Sequence, residues 1–187
     1  MTTTTHLRTN AITYCLLRDA GTEIAVKTGK EITMYFKNIA DITSTAATAF
    51  SFGLQSCNMN EDELEEIAVE LTKSNTQNGF DSLYFAFQST GHLSVGNRWQ
   101  EPDDYDTRNH PWYKKAAQSD SKLMFSEPYI DAQSGELTIT AAKAIHNEKG
   151  NLLGVTAGYV FISKLNEIVQ ILKYLEKMWV FYLKKME

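Results

Sequence analysis

Between residues 83 and 161 the apolar residues gather into five β-type runs: Leu83–Phe87, His92–Val95, Leu123–Ile130, Leu137–Ile145 and Asn151–Phe161. Ser89-Thr90-Gly91 and Asn147-Glu148-Lys149-Gly150, which join the first and the last pair, are turn sequences. Strands joined by such turns form hairpins, and consecutive hairpins build an antiparallel sheet. This pattern excludes an all-helical chain and predicts a sheet of about five strands.

The flanks read differently. From Ile32 to Phe50 apolar residues recur at steps of three and four (Tyr35, Phe36, Ile39, Ala46, Ala47, Phe50), which predicts one long amphipathic helix ending near Gly53. Thr28 and Gly29 weaken its first third, so its start is placed at Thr28 or near Arg18. Asn60 with Glu63 three residues later spells a capping box, ahead of a Leu64, Ile67, Ala68, Leu71 stripe that ends around Ser74. Arg98 to Asp106 is polar and irregular, and Pro111 suits the first turn of a short helix running to Ser119. After Ser163 the helical period returns. The fold class expected is α+β, an antiparallel sheet with a long N-terminal and a C-terminal helix. Residues 1–27 are read as a leader or helix extension, 28–165 as the main domain and 166–187 as an amphipathic helix.

Charge and composition narrow the functional classes. Across 187 residues, 18 Lys plus Arg face 23 Asp plus Glu for a net −5, so no segment supplies the concentrated basic face that nucleic acid requires. The longest uncharged stretch, Ile42 to Asn60, is too rich in Ser, Thr and Asn to supply the roughly 20 mainly apolar residues of a membrane span. Met1 to Thr9 lacks the apolar core of a secretory signal, so no export address is expected in this chain. Cys15 and Cys57 are read as inert thiols, and His6, His92 and His146 as ordinary surface or turn histidines without partners. Phosphate-loop, dinucleotide-binding, zinc-protease and nucleophile-elbow motifs are all missing from the sequence. The expectation is a non-enzymatic protein without metal or cofactor.

One stretch is dense in specific residue types: Tyr105-Asp106-Thr107-Arg108-Asn109-His110-Pro111-Trp112-Tyr113, followed by Ser126-Glu127-Pro128-Tyr129-Ile130-Asp131. A pocket for a small polar ligand needs aromatic walls, and any charge it buries must be paired. Trp112 and Tyr113 at the start of a short helix provide a wall, Tyr105 a hydroxyl, and Tyr129 and Asp131, two apart on a strand, share one face. Structural roles compete with these. Trp112 and Tyr113 also suit core anchors, Asp106 and Arg108 a loop-fixing ion pair, Asp131 a turn cap, and His110 a helix cap.

These two runs resemble the Tyr-Asp-Pro-Arg-x-Arg-Pro-Trp-Tyr and Ser-Glu-Pro-Tyr-x-Asp signatures of the double Cache (PAS-like) extracellular sensor domains of bacterial chemoreceptors, sensor kinases and cyclic-dinucleotide enzymes. The resemblance runs from about Lys30 to Val169 and implies the membrane-distal half of such a sensor, without its proximal module, transmembrane helices or output domain. It implies an extracytoplasmic location in a membrane-anchored receptor, a small-molecule ligand, and a possible homodimer through the long N-terminal helix.

In amino-acid-sensing members, positions matching Tyr105, Trp112, Tyr129 and Asp131 contact ligand, and this chain keeps the expected residue at each. Two positions depart. The arginine that grips the α-carboxylate falls at His110, and the aspartate that pairs with the α-ammonium falls at Tyr159. Histidine lacks the guanidinium fork and is only partly charged at neutral pH, so weaker and pH-dependent carboxylate binding is expected. An α-amino acid, a monoamine held by Asp131, a neutral or aromatic metabolite, and no ligand at all remain open. In the last case Tyr159 fills the pocket of a structural or dimerisation module. The tail from Ile171 to Met186 is read as packing against the first helix, with an interfacial or dimer helix as the alternative.

Overall fold

A computed structural model of the chain describes residues 2–163, together with 165, 169, 170, 174 and 177, with side chains from residue 13 onward. The chain forms two compact units, Phe36–Lys164 and Met1–Tyr35 with Leu165–Glu187. Most of the expected C-terminal helix, including the tail from Ile171 to Met186, lies outside the described residues. Helix α1, Thr2–Ser56, runs through Thr28 and Gly29 unbroken. A single glycine costs only about 1 kcal/mol, which a long cooperative helix absorbs. In the smaller unit Leu16, Val26 and Met34 lie exposed on α1, and Thr22 and Thr33 bond back to the carbonyls of Arg18 and Gly29.

In the larger unit α1 continues past Gly53, the expected stop. A Cβ at Gly53 would lie 2.9 Å from Leu64 Cδ2 and 3.0 Å from Met59 Sδ, so this glycine serves the close approach of the next helix and ends nothing. Helix α2, Glu61–Asn75, opens on the capping box expected from the sequence: Asn60 Oδ1 accepts from the Glu63 amide at 2.9 Å, and Glu63 Oε2 accepts from the Asn60 amide at 2.9 Å.

The sheet contains six strands, β1 (Ser82–Phe87), β2 (Leu93–Val95), β3 (Met124–Phe125), β4 (Tyr129–Ile130), β5 (Leu137–His146) and β6 (Leu152–Phe161). The path is β2-β1-β6-β5-β3 with β4 also on β5, and every pairing is antiparallel. The run read as one strand from Leu123 to Ile130 is thus two. Pro128 has no amide to donate to the ladder. Between the two pieces the Ser126 amide donates to the Thr140 carbonyl at 2.8 Å, and Ser126 Oγ accepts from the Thr140 amide at 3.0 Å.

Every residue of β1 is buried, because the sheet is covered on both faces. Toward one side Phe50 of α1 packs on Phe85 with ring centroids 5.6 Å apart, beside buried Ile39, Ala46 and Leu64. On the opposite face the register aligns Tyr84 with Ala157, Ala86 with Val155 and Ser82 with Tyr159. Helix α3, Pro111–Ala117, covers that face with Trp112, Tyr113 and Ala116, all buried.

Candidate functional site

Beneath the loop that precedes α3 lies a cavity lined by Tyr84, Leu93, Val95, Trp99, Tyr105, His110, Trp112, Tyr129, Asp131, Ala132, Gln133 and Tyr159. Of the residues expected from the sequence, Tyr105, His110, Trp112, Tyr129, Asp131 and Tyr159 meet here. Tyr113 does not line the cavity; its ring is buried on α3 and its hydroxyl donates to Gln88 Oε1 at 2.7 Å. Neighbouring residues on a helix point about 100° apart, which separates Tyr113 from Trp112.

The loop is anchored by Asp106 and Arg108. Both oxygens of Asp106 accept from the guanidinium, at 2.9 Å from Nε and 2.8 Å from Nη2, and this clasp holds the Asp106 carboxyl down at about 2. His110, the residue before Pro111, stands at the N-cap position of α3, and its side chain makes no capping hydrogen bond. Its ring instead stacks beside Tyr105, with centroids 4.9 Å apart, and lies 6.3 Å from the Trp112 ring. Trp99 closes on Tyr105 edge to face at 5.1 Å, and Trp112 meets Tyr84 in the same way at 5.4 Å.

The polar corner comes from β4, the turn after it and β6. Tyr129 Oη and Thr140 Oγ1 lie 2.7 Å apart. Asp131 Oδ2 caps the turn, accepting from the Gln133 and Ser134 amides at 3.1 and 2.7 Å and from Ser134 Oγ at 2.8 Å. The carboxylate therefore fills the expected turn-capping role while Asp131 also lines the cavity. Gln133 Oε1 accepts from Asn97 Nδ2 at 3.0 Å, tying the turn to the opposite loop. Tyr159 donates its hydroxyl proton to Asp81 Oδ2 at 2.5 Å, outside the lining.

Burial sets the charge of this site. It pushes the Tyr129 hydroxyl up to about 12 and raises those of Tyr84, Tyr105 and Tyr159 as well, so all are neutral phenols at pH 7. Burial also lowers the His110 imidazole from 6.5, against the opposing pull of Asp131, and leaves it neutral. No arginine or lysine lines the cavity. Asp131 is its charged wall group. Among the described residues no cluster of His, Cys, Asp or Glu has the arrangement of a metal site.

Residues 53–167 match the model of the methyl-accepting chemotaxis protein-like first PDC sensor domain. The chain belongs to this family. Among curated relatives, the methyl-accepting chemotaxis protein PscA of Pseudomonas syringae is 32% identical over 114 residues, 60% of this chain and 17% of that protein. McpC of Bacillus subtilis is 34% identical over 67 residues, 36% of this chain and 10% of that protein. Among solved structures, the ligand-binding domain of the Pseudomonas aeruginosa amino acid chemoreceptor PctC in complex with GABA superposes with a TM-score of 0.70 at 25% identity, over 81% of this chain and 66% of that one. The ligand-binding domain of the Pseudomonas fluorescens chemoreceptor CtaA in complex with L-leucine gives 0.64 at 26% identity, over 86% and 64%. The chain thus spans only 10% and 17% of those curated relatives and just under two thirds of those solved domains.

The double Cache resemblance is borne out, and with it the α+β fold and the reading as a ligand-sensing domain of the chemoreceptor kind, a non-enzymatic class of protein. Several lining residues of this PDC sensor domain were not singled out from the sequence. Tyr84 and Val95 were read only as parts of apolar runs, and Trp99 fell in a segment read as irregular. Gln133 carries no pattern signal, since it reaches the cavity only because Asp131 folds the turn back. Among the described residues no helix is long and apolar enough to cross a membrane.

Proposed function

We propose that this PDC sensor domain binds a small organic cation through the Tyr105, Trp112, Tyr129 and Asp131 wall. The observation that supports this reading is the balance of the cavity: aromatic rings surround it, Asp131 supplies its charge, and the residue at the position of the carboxylate grip is a half-buried His110 held neutral. Aromatic faces and a carboxylate both favour a cation. A free carboxylate on the ligand meets no fixed positive charge there. The solved relative with GABA bound and those with L-leucine or L-serine carry ligands with an amine and a carboxylate. Here Asp131 is the kept residue that would hold the amine end, while Tyr159 stands where the family resemblance places an ammonium-pairing aspartate.

The same proposal takes residues 28–165 as the sensing domain, 1–27 as an extension of α1 and 166–187 as a C-terminal helix. It places the domain on the extracytoplasmic side of a membrane-anchored receptor, where α1 would pair two copies and a ligand-dependent shift of helices would carry the signal.

One observation favours a second reading, a structural module that binds nothing: the free volume of the cavity is about 30 Å3, space for little more than water. Under the cation reading, binding displaces Tyr159 or lifts the turn after Asp131. A thermal-shift series at pH 7.5 with butylamine, ethanolamine, GABA, L-leucine and butyrate separates the two. Amines should raise the melting temperature, by the equivalent of about 2.7 kcal/mol at a hundredfold excess over Kd, and butyrate should not. No shift with any of them selects the structural module.

A further inference from the structure

On the α1 side of the sheet lies a second recess, an open groove of about 580 Å3 between the end of α1 and β5. Small-molecule sites commonly measure roughly 300–1,000 Å3. Both walls belong to the larger unit. Ala47, Phe52 and Ile145 give the groove apolar surface, and Phe52 is 61% exposed. Ser51, Gln55 and Lys143 supply polar groups. Gln55 Nε2 donates to Ser51 Oγ at 2.8 Å, so the Ser51 hydroxyl keeps its own proton to give.

Lys143 is the residue that folding does not account for. It stands on β5 in the row that runs through Thr156 to Phe85, the row on which Phe50 of α1 packs. A partly buried ammonium in such a row costs free energy unless an acceptor meets it. Among the described residues none does: Lys143 makes no ion pair and no side-chain hydrogen bond, and the hydroxyl of its buried cross-strand neighbour Thr156 is unpartnered too. The other ionisable groups of the lining do not relieve it. His146 is engaged with Ser121 Oγ at 2.8 Å, and Glu148 lies exposed in the turn after β5 without pairing to Lys143.

We propose that this groove is a second ligand site, one that takes an organic carboxylate with an apolar body. The carboxylate meets Lys143 and Ser51, two donors for two oxygens, and the body lies along Phe52 and Ile145. The preference is opposite to that of the cavity, which no lysine or arginine lines. The two linings share no residue, so this inference stands whether or not the cation-binding reading does. Because α1 forms one wall, an occupant bridges that helix and the sheet.

The test follows backbone amide signals by NMR while the full chain is titrated with 3-phenylpropionate and with its uncharged amide, 3-phenylpropionamide. The carboxylate should move the signals of residues 51–56 and 143–148 and leave those of residues 105–112 in place. The amide should bind at least about tenfold more weakly. Lys143→Gln should cost the carboxylate at least about tenfold in affinity, while Lys143→Arg, which keeps the charge, should stay within about threefold. Phe52→Ala should weaken it about fivefold. Spectra of the variants that match the unsubstituted chain away from the groove show that each has folded. No movement at millimolar carboxylate, movement at the cavity residues instead, equal binding of the amide, or an affinity indifferent to Lys143→Gln would each overturn the proposal. A failure of the amine series in the cavity would not touch it.

Discussion

Arg108 encloses Asp106 two residues earlier in the chain, with Nε and Nη2 on its two carboxylate oxygens and Nη1 reaching the Gln88 carbonyl at 3.2 Å. The clasp ties the loop before α3 to the turn after β1, where the Thr107 amide also donates to the Gly91 carbonyl at 3.1 Å. His110 and Trp112 inherit their positions from it. The ion pair expected from the sequence is therefore structural, and the site depends on it indirectly.

Removing the cation should expose that dependence. In the native protein the Asp106 carboxyl is lowered from 3.8 to about 2, chiefly by the Arg108 hydrogen bonds, so its contribution to stability is complete above pH 3.8 and fades as pH falls toward 2. Arg108→Gln should lower the melting temperature at pH 7 and shrink the loss of stability between pH 4 and pH 2. Urea unfolding at both ends of that interval measures the difference. An unchanged acid profile would mean that the pair contributes no net stability.

The parts of the fold that were legible are those whose cause is local. Asn60 and Glu63 form their capping box because both partners lie within four residues. Asn147 and Gly150 close the last hairpin, with the Gly150 amide donating to the Asn147 carbonyl at 2.9 Å, for the same reason. The site was legible where a contiguous motif carries it, as with Tyr105, His110 and Trp112. What stayed hidden joins distant segments. Tyr159 and Asp81 are 78 residues apart and meet only because β1 pairs with β6. His92, read as lacking a partner, pairs with Glu101 across the loop at 2.8 Å, and His146 with Ser121 Oγ at 2.8 Å. Hydrophobic period is blind to such pairs.

The His92 pair yields a prediction of opposite sign to the first. Its hydrogen bond to Glu101 raises the imidazole above 6.5, so its stabilising effect is complete below that value and is lost as pH rises through the folded-state value. Glu101 Oε1 is buried with no hydrogen-bond partner, so the carboxylate depends on His92 for relief. Native stability should decline modestly from pH 6 to pH 8.5, less than a buried pair would give, because His92 is mostly exposed. His92→Gln should flatten that decline. A slope unchanged in the variant would assign it to another group.

Packing between α2 and the sheet leaves no room beside Gly96. A Cβ there would come within 2.5 Å of the Ala68 carbonyl and collide with Thr72 Oγ1, which accepts from the Leu83 amide at 2.8 Å. Gly96→Ala should destabilise the chain by about 1–3 kcal/mol through overpacking. Thr72→Val, which leaves the buried Leu83 amide unpaired, should cost about 1–3 kcal/mol as well. Because both act at one contact, the double variant should fall short of the sum. Chemical denaturation of the three variants decides this; full additivity would show that the contact is not shared.

Under the proposed cation binding, His110 sets what the cavity tolerates at the far end of a bound amine. The groups acting on its imidazole beyond burial are Asp131, Lys114 and Asp106, and burial is the largest influence, lowering it from 6.5. The midpoint of its protonation therefore lies below that value, and protonation adds a positive charge beside the aromatic wall. Butylamine should bind best above pH 7 and weaken as pH falls toward 5, while GABA, which adds a carboxylate to the same chain length, should gain on it over that range. His110→Arg places a permanent charge and a planar fork at this position. The GABA-to-butylamine affinity ratio should then rise by at least about tenfold and lose its dependence on pH, a change worth about 1.4 kcal/mol of selectivity. Titration of both ligands against both proteins at pH 5.5 and 7.5 measures it. A ratio indifferent to the substitution would place the carboxylate elsewhere and remove His110 from the site.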